Sequence, residues 1–214
     1  MERADNNVFR KPFAFDGRYA SRNNYFSLSG FASIAYTSNK KRDTLLISGV
    51  EIKLQPKIHQ GNLRAEGFRF AIVASRWNDF LTARLTEGAI DSLERLGADE
   101  DSVEVFKVPG SFEIPVLARK LAEGGRFDAV ICVGTILRGQ TPHFDFVAGA
   151  ATKGIAQAAM DTGIPVVYGI ITADTLEQAI DRVGVKAGNK GSEAAFVAVE
   201  MVNLFRSVTD MNKG

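Results

Sequence analysis

From Phe68 to the C-terminus the chain alternates short, almost wholly apolar runs with segments of helical spacing, and this rhythm constrains the fold more than any other feature. "FRFAIVAS" (68–75), "SVEVFKV" (102–108), "FDAVICVGT" (127–135) and "IPVVYGIIT" (164–172) read as strands. Runs with little polar alternation belong to strands covered on both faces, which implies a parallel sheet between two helical layers. Between the runs, Phe80, Leu81, Leu85, Ala89, Leu93 and Leu96 recur at helical spacing, with Asn78 or Asp79 able to cap the start and Gly97 placed to stop it. A second helix follows the turn "PGS". A third spans about Thr141 to Thr162. A last one, about 190–207, turns Ala194, Val197, Ala198, Met201, Val202 and Phe205 inward. The expectation is an α/β fold, a four-stranded parallel sheet doubly wound by helices.

Residues 1–66 have no such rhythm. "RKPFAFDGRYASRNNYFSLSGFASIAYTSNKKRD" shows no sustained period and is acid-poor, and residues 1–66 hold 11 Lys/Arg against 6 Asp/Glu. We expect a poorly structured N-terminal extension, residues 1–60, before an α/β domain, residues 61–214. The extension reads as a disordered tail, a translated stretch upstream of the true start, or an organelle-targeting peptide; its Arg/Ser bias fits targeting, but it lacks a clear amphipathic face.

The net charge of +1 gives no general reason to expect nucleic acid or a membrane surface as partner, and no apolar run approaches the ~20 residues that cross a bilayer. Cys132 is the single cysteine, inside "AVICVG", where it reads as a small buried hydrophobe. One Cys and two well-separated His cannot make a four-ligand zinc site.

In a doubly wound sheet, ligands bind beyond the carboxyl ends of the strands. That rule selects "SRWND", "VPGSFE", "GTILRGQTPH" and "GIITADT". In "RGQTPHFD", Thr141 suits an N-cap and Pro142 the first helical position, which puts His143 in the first turn. The N–H groups of Gln140 and Thr141 are then free at the positive end of a helix, an arrangement that accepts an anion, phosphate above all. An imidazole beside it can exchange protons near neutral pH. The competing reading is an ordinary helix start.

"VPGSFEIP" is a second turn into a helix, with Ser111 as cap and Glu113 in the first turn. Capping does not account for Phe112, a large aromatic at that corner. Trp77, the only tryptophan, follows a strand end, where an indole packs on the rim or stacks a flat heterocycle. Arg182 and Lys190 have no evident local need, and Lys190 opposes the dipole of the last helix. No GxxxxGK[ST] loop supports nucleotide hydrolysis, and no G-x-S-x-G elbow supports a serine hydrolase.

The ordered series "RWND", "VPGSFEIP", "GTILRGQTPHFDFV", "GIPVVYGIIT", "TLEQAIDRVGVKAGNKGSEAA" resembles the 6,7-dimethyl-8-ribityllumazine synthases of riboflavin biosynthesis, from about Gly61 to Ser207. The resemblance implies a flavodoxin-like three-layer sandwich. It implies condensation of 5-amino-6-(D-ribitylamino)uracil with 3,4-dihydroxy-2-butanone 4-phosphate, without metal or redox cofactor.

Carried over by position, Trp77 stacks on the pyrimidine, and Ser111, Phe112, Glu113, Thr135, Ile136 and Leu137 bind the uracil and ribityl chain. Gln140 and Thr141 hold the phosphate with Arg182, Lys190 sits by the anionic end, His143 transfers protons, and Tyr168 closes on the ring. Family members draw the residues matching Tyr168, Arg182 and Lys190 from the neighbouring subunit of a homopentamer. "KAGNKG" lacks a short insertion that resembles pentamer- or decamer-only members, so the chain looks more like the sixty-subunit capsid type. Riboflavin synthase is a further implied partner. The location expected is the cytoplasm, or an organelle if residues 1–60 are a transit peptide.

Two departures stand out. Trp77 and Tyr168 occupy positions where phenylalanine is frequent, and the first 60 residues have no counterpart in the usual bacterial enzyme, which bears on capsid assembly. The alternatives from other classes are a non-catalytic lumazine-binding or shell-forming relative and a flavodoxin-like flavin carrier. A mere shell needs none of Trp77, Glu113, His143, Arg182 and Lys190. A flavin carrier does not require the Arg182/Lys190 pair.

Overall fold

The computed structural model describes residues 57–186 and 188–213 in full, and the backbone of residues 8–21, 24–39, 42–47 and 50–53. The chain divides into two compact units, residues 1–58 and 59–214.

In the first unit the backbone pairs as an antiparallel meander of β1 (Val8–Ser21), β2 (Asn24–Asn39), β3 (Arg42–Ile47) and β4 (Val50–Lys53). No hydrophobic period announces these strands. Of the expected poorly structured extension, residues 1–7, 22–23, 40–41, 48–49 and 54–56 lie outside the described residues, and residues 57–60 are exposed and without regular secondary structure.

The second unit is built on a four-stranded parallel sheet: β5 (Phe70–Ser75), β6 (Val103–Val108), β7 (Ala129–Leu137) and β8 (Val166–Ala173), in the order β6-β5-β7-β8. The helices are α1 (Asp79–Arg95), α2 (Ile114–Glu123), α3 (His143–Thr162), the short α4 (Leu176–Ile180) and α5 (Lys190–Lys213). Every residue of β5, and every residue of β7 but the last, is buried.

Successive residues of a strand point to opposite faces, and the core divides accordingly. Phe70, Ile72, Ala74, Ile131, Val133, Val167 and Ile171 pack with the buried sides of α1 and α5. Ala71, Val73, Val130, Cys132 and Ile170 pack with those of α2 and α3. This is the three-layer flavodoxin-like sandwich. The strand order reverses direction at β5, which opens a crevice at the carboxyl ends.

α1 and α5 approach unusually closely. A Cβ on Gly191 would lie 1.9 Å from the Leu85 carbonyl oxygen, so only glycine fits. The close approach turns the inner face of α5 toward small residues. Ala195 and Val199 are buried with Ala194, Ala198 and Val202, whereas Val197 (47% exposed) and Phe205 (40%) point outward, contrary to the sequence reading. Phe80, expected inside α1, is likewise exposed. Gly97 stops α1 as expected: its φ is 94° and its N–H closes on Glu94 O at 3.0 Å.

Two helices start later than the sequence indicates. Pro142, not Thr141, is the N-cap of α3, because the first turn closes on the Pro142 carbonyl, which accepts the N–H groups of Asp145 (3.0 Å) and Phe146 (3.4 Å). Ser111 lies in a turn ahead of α2, which begins at Ile114 with Pro115 in its first turn. Ser111 is buried against β7 instead: a Cβ on Gly134 would lie 2.9 Å from its Oγ. Among the described residues no helix is long and apolar enough to cross a membrane.

Candidate active site

The carboxyl ends of β5, β6 and β7 surround a cavity of about 650 Å³. Most of the residues singled out from the sequence line it: Trp77, Ser111, Phe112, Glu113, Thr135, Ile136, Leu137, Thr141 and His143. Gln140 lies on the same loop but does not line it. Tyr168, Arg182 and Lys190 are also outside its lining.

The turn after β5 presents the first wall. Ser75 Oγ accepts the Trp77 N–H at 3.2 Å, and the Arg76 N–H donates to Val108 O at 2.8 Å, which ties the turn to the end of β6. Trp77 is thereby held with its side chain 73% exposed. Asn78 occupies the left-handed region (φ 58°), where asparagine is tolerated better than most side chains. It sits at the N-cap of α1 but makes no capping bond; its amide crosses to Thr135 O at 2.9 Å.

The turn after β6 forms the second wall. The Glu113 N–H donates to Gly110 O at 3.3 Å, and the Glu113 carboxylate lies over Gly110, where a Cβ would meet Oε2 at 3.0 Å. Phe112 projects outward, 61% exposed.

The end of β7 forms the floor. Thr135 is 1% exposed and its Oγ1 has no hydrogen-bond partner among the described residues. A buried hydroxyl without a partner is costly, and Thr135 is among the residues that line the cavity.

Beyond β7 the chain passes through Gly139, Gln140, Thr141 and Pro142 into α3. The N–H groups of Gly139, Gln140, Thr141, His143 and Phe144 donate to no acceptor within the described residues. The first N–H groups of a helix carry partial positive charge, and α3, 20 residues long, aligns its dipole behind them. His143 is the first residue of α3 and is exposed on the cavity side.

The outlying residues cluster elsewhere. The Lys190 N–H donates to Arg182 O at 3.1 Å, and Val183 pairs with Asn189, so both cations leave one tight turn. Arg182 Nη1 donates to Gln178 O at 2.8 Å, and the Lys190 ammonium pairs with Glu193. Tyr168, on the outer strand β8, shares a 3.2 Å hydrogen bond with Thr152 Oγ1.

Sequence reasoning overlooked Arg138, Phe144, Phe146 and Val147, and took Asn78 only as a cap. Phe146 and Val147 follow His143 at i+3 and i+4, so the signal was present at helix spacing on the cavity side. Arg138 carried a weaker signal, a lone cation between a strand end and a glycine.

An exposed aromatic plate, a cradle of N–H groups free among the described residues and a histidine beside it can receive a flat polar ring and an anion. The family model described as 6,7-dimethyl-8-ribityllumazine synthase matches residues 67–206. A protein of Syntrophus aciditrophicus (strain SB) named 6,7-dimethyl-8-ribityllumazine synthase is 52% identical over 153 residues, covering 72% of this chain and 99% of that protein. The chain belongs to the 6,7-dimethyl-8-ribityllumazine synthase family.

Proposed function

We propose that the protein condenses 5-amino-6-(D-ribitylamino)uracil with 3,4-dihydroxy-2-butanone 4-phosphate, giving 6,7-dimethyl-8-ribityllumazine, phosphate and water. The observation that carries this reading is the meeting of His143 and the free N–H cradle in one cavity with Trp77. Trp77 stacks the pyrimidine, while Phe112 and the turn Ser111–Glu113 enclose it. The Thr135 hydroxyl pairs with a polar atom of the uracil or its ribityl chain, between Ile136 and Leu137.

The amino group of the uracil attacks the ketone, and loss of water leaves a Schiff base. His143 moves a proton as the adjacent C–O bond to phosphate breaks; the N–H groups of Gln140 and Thr141 take up the charge that leaves. The second nitrogen then closes the ring, with loss of another water.

The cations complete the site from a neighbouring copy of the chain. Arg182 and Lys190 share one turn remote from the cavity lining, as expected if they and Tyr168 serve the next subunit of a homopentamer, itself a unit of a sixty-subunit shell. The enzyme works in the cytoplasm, with residues 1–60 as an appendage to the domain of residues 61–214.

The test mixes the purified protein with both substrates and follows lumazine fluorescence and phosphate release together. Acceleration above the spontaneous condensation is expected. A rate equal to the spontaneous one would reject the reading.

A further inference from the structure

We propose that Arg138 is a positioning residue that holds the loop Gly139–Pro142 in the shape its N–H groups need to meet the phosphate. The role rests on the assignment of that loop to the phosphorylated substrate. It concerns a side chain outside the cavity lining.

Arg138 ties three segments together. Its N–H donates to Ala173 O at 3.0 Å, one rung past the end of the β7–β8 ladder. Nε donates to Asp174 Oδ1 at 2.7 Å, just beyond β8. Nη1 and Nη2 grip both oxygens of Asp145, in the first turn of α3, at 3.1 and 3.0 Å. The guanidinium also lies 4.1 Å over the ring of Phe144, which lines the cavity. The chain leaves at Arg138 and returns at Asp145, and the fork closes that excursion.

Little else restrains the excursion. The Pro142 carbonyl accepts the N–H groups of Asp145 and Phe146, but Gly139, Gln140 and Thr141 take part in no hydrogen bond within the described residues. Residues 139–142 are all exposed, so packing does not hold the loop either. Free N–H groups bind an anion well only if they already converge, because ordering them on binding consumes affinity. The clamp supplies that order. A guanidinium can meet a carboxylate on two donors and a second carboxylate on a third; an ammonium lacks the planar fork.

Exposed ion pairs contribute little to global stability, and Arg138 is 41% exposed at its side chain. Its removal should therefore register chiefly at the phosphate, with only a slight effect on folding. The full-length protein and its Arg138→Met, Arg138→Lys and Asp174→Asn variants would be compared by inhibition with inorganic phosphate, by KM for each substrate, and by Trp77 fluorescence on titration with the aminouracil.

Arg138→Met should weaken phosphate inhibition and raise KM for the phosphorylated substrate about tenfold, the scale of one lost charge-assisted interaction. Uracil binding at Trp77 should stay within about twofold, well below that scale. Arg138→Lys and Asp174→Asn should move the same quantities less. Unchanged phosphate inhibition in an Arg138→Met enzyme that still condenses its substrates would overturn the role of Arg138 alone. Equal losses for both ligands would make the residue merely structural. Wild-type protein showing neither condensation nor phosphate inhibition would overturn the reading of the site and the clamp with it.

Discussion

The side-chain amide of Asn78 donates to the carbonyl of Thr135 across 2.9 Å, joining the turn that carries Trp77 to the strand end that carries the unsatisfied hydroxyl. One residue thus sets the spacing between the stacking plate and the floor of the cavity. Asn78→Ala loses that bond and places alanine at φ 58°. The expected cost is about 1–3 kcal/mol, from the unmet carbonyl and the strained backbone together. Asn78→Gly relieves the strain and leaves only the lost bond. Denaturant unfolding should rank the proteins wild type, glycine, alanine; an alanine variant as stable as wild type would refute this role for Asn78.

Cys132 is fully buried in β7 on the α2/α3 face, and burial pushes its thiol well above the usual range. The thiolate is the reactive form. Native protein at pH 8 should therefore resist an aromatic disulfide reagent over hours, and unfolded protein should react with one equivalent at once. Rapid native labelling would show that the sheet opens locally.

In residues 61–214 the order of strands and helices was legible because short apolar runs such as "FAIVAS" and "AVICVGTIL" alternate with segments of helical spacing; nothing of the kind marked β1 to β4. Face choice on α5 was less so. Val197 and Phe205 fit a helical stripe as well as Ala195 and Val199 do, and only the contact between Gly191 and Leu85 decides which side turns in. Cap residues failed for a related reason. Ser111 and Thr141 have capping chemistry, but the first is packed against Gly134 and the second sits in the loop before Pro142 closes the turn. At the site, the residues in "SRWND", "VPGSFE" and "GTILRGQTPH" were legible from the carboxyl-end rule. Arg138 was not, because its partners Asp145 and Asp174 converge only after β7, β8 and α3 are assembled.

His143→Ala should lower kcat by about tenfold, less than general acid–base catalysis often contributes, because an amine and a ketone can condense without a catalyst. Affinity for the aminouracil, read at Trp77, should change little. A loss confined to KM would move His143 from proton transfer to binding.

Asp145 gives a pH signature. Hydrogen bonds from Arg138 hold its carboxyl below the ordinary value of 3.8. A carboxylate lowered on folding stabilises the protein fully above its unfolded value, and that contribution disappears as pH falls through the lowered folded value. The thermal midpoint of Asp145→Asn should therefore lie slightly below wild type at pH 7, with the gap closing as pH falls below the ordinary value of 3.8. A gap that widens in acid would contradict the clamp.

Arg182 and Lys190 give the most demanding prediction, since they share a turn but not the cavity. Two crippled proteins are required: Arg182→Ala, with an intact cavity, and the double variant Trp77→Ala/His143→Ala, with intact cations. If one chain holds a whole site, no mixture contains an unaltered site, and mixed activity equals the mean of the parents. If the cations serve the next subunit, co-assembly at equal amounts leaves about a quarter of sites with both halves intact, since each half is intact at even odds in a cyclic ring. Co-expression with two separable tags, purification through both, and assay of the mixed oligomer distinguishes the cases. Recovery toward a quarter of wild-type turnover is expected, and activity at the parental mean would show that the turn carrying Arg182 does not serve a neighbouring subunit's site.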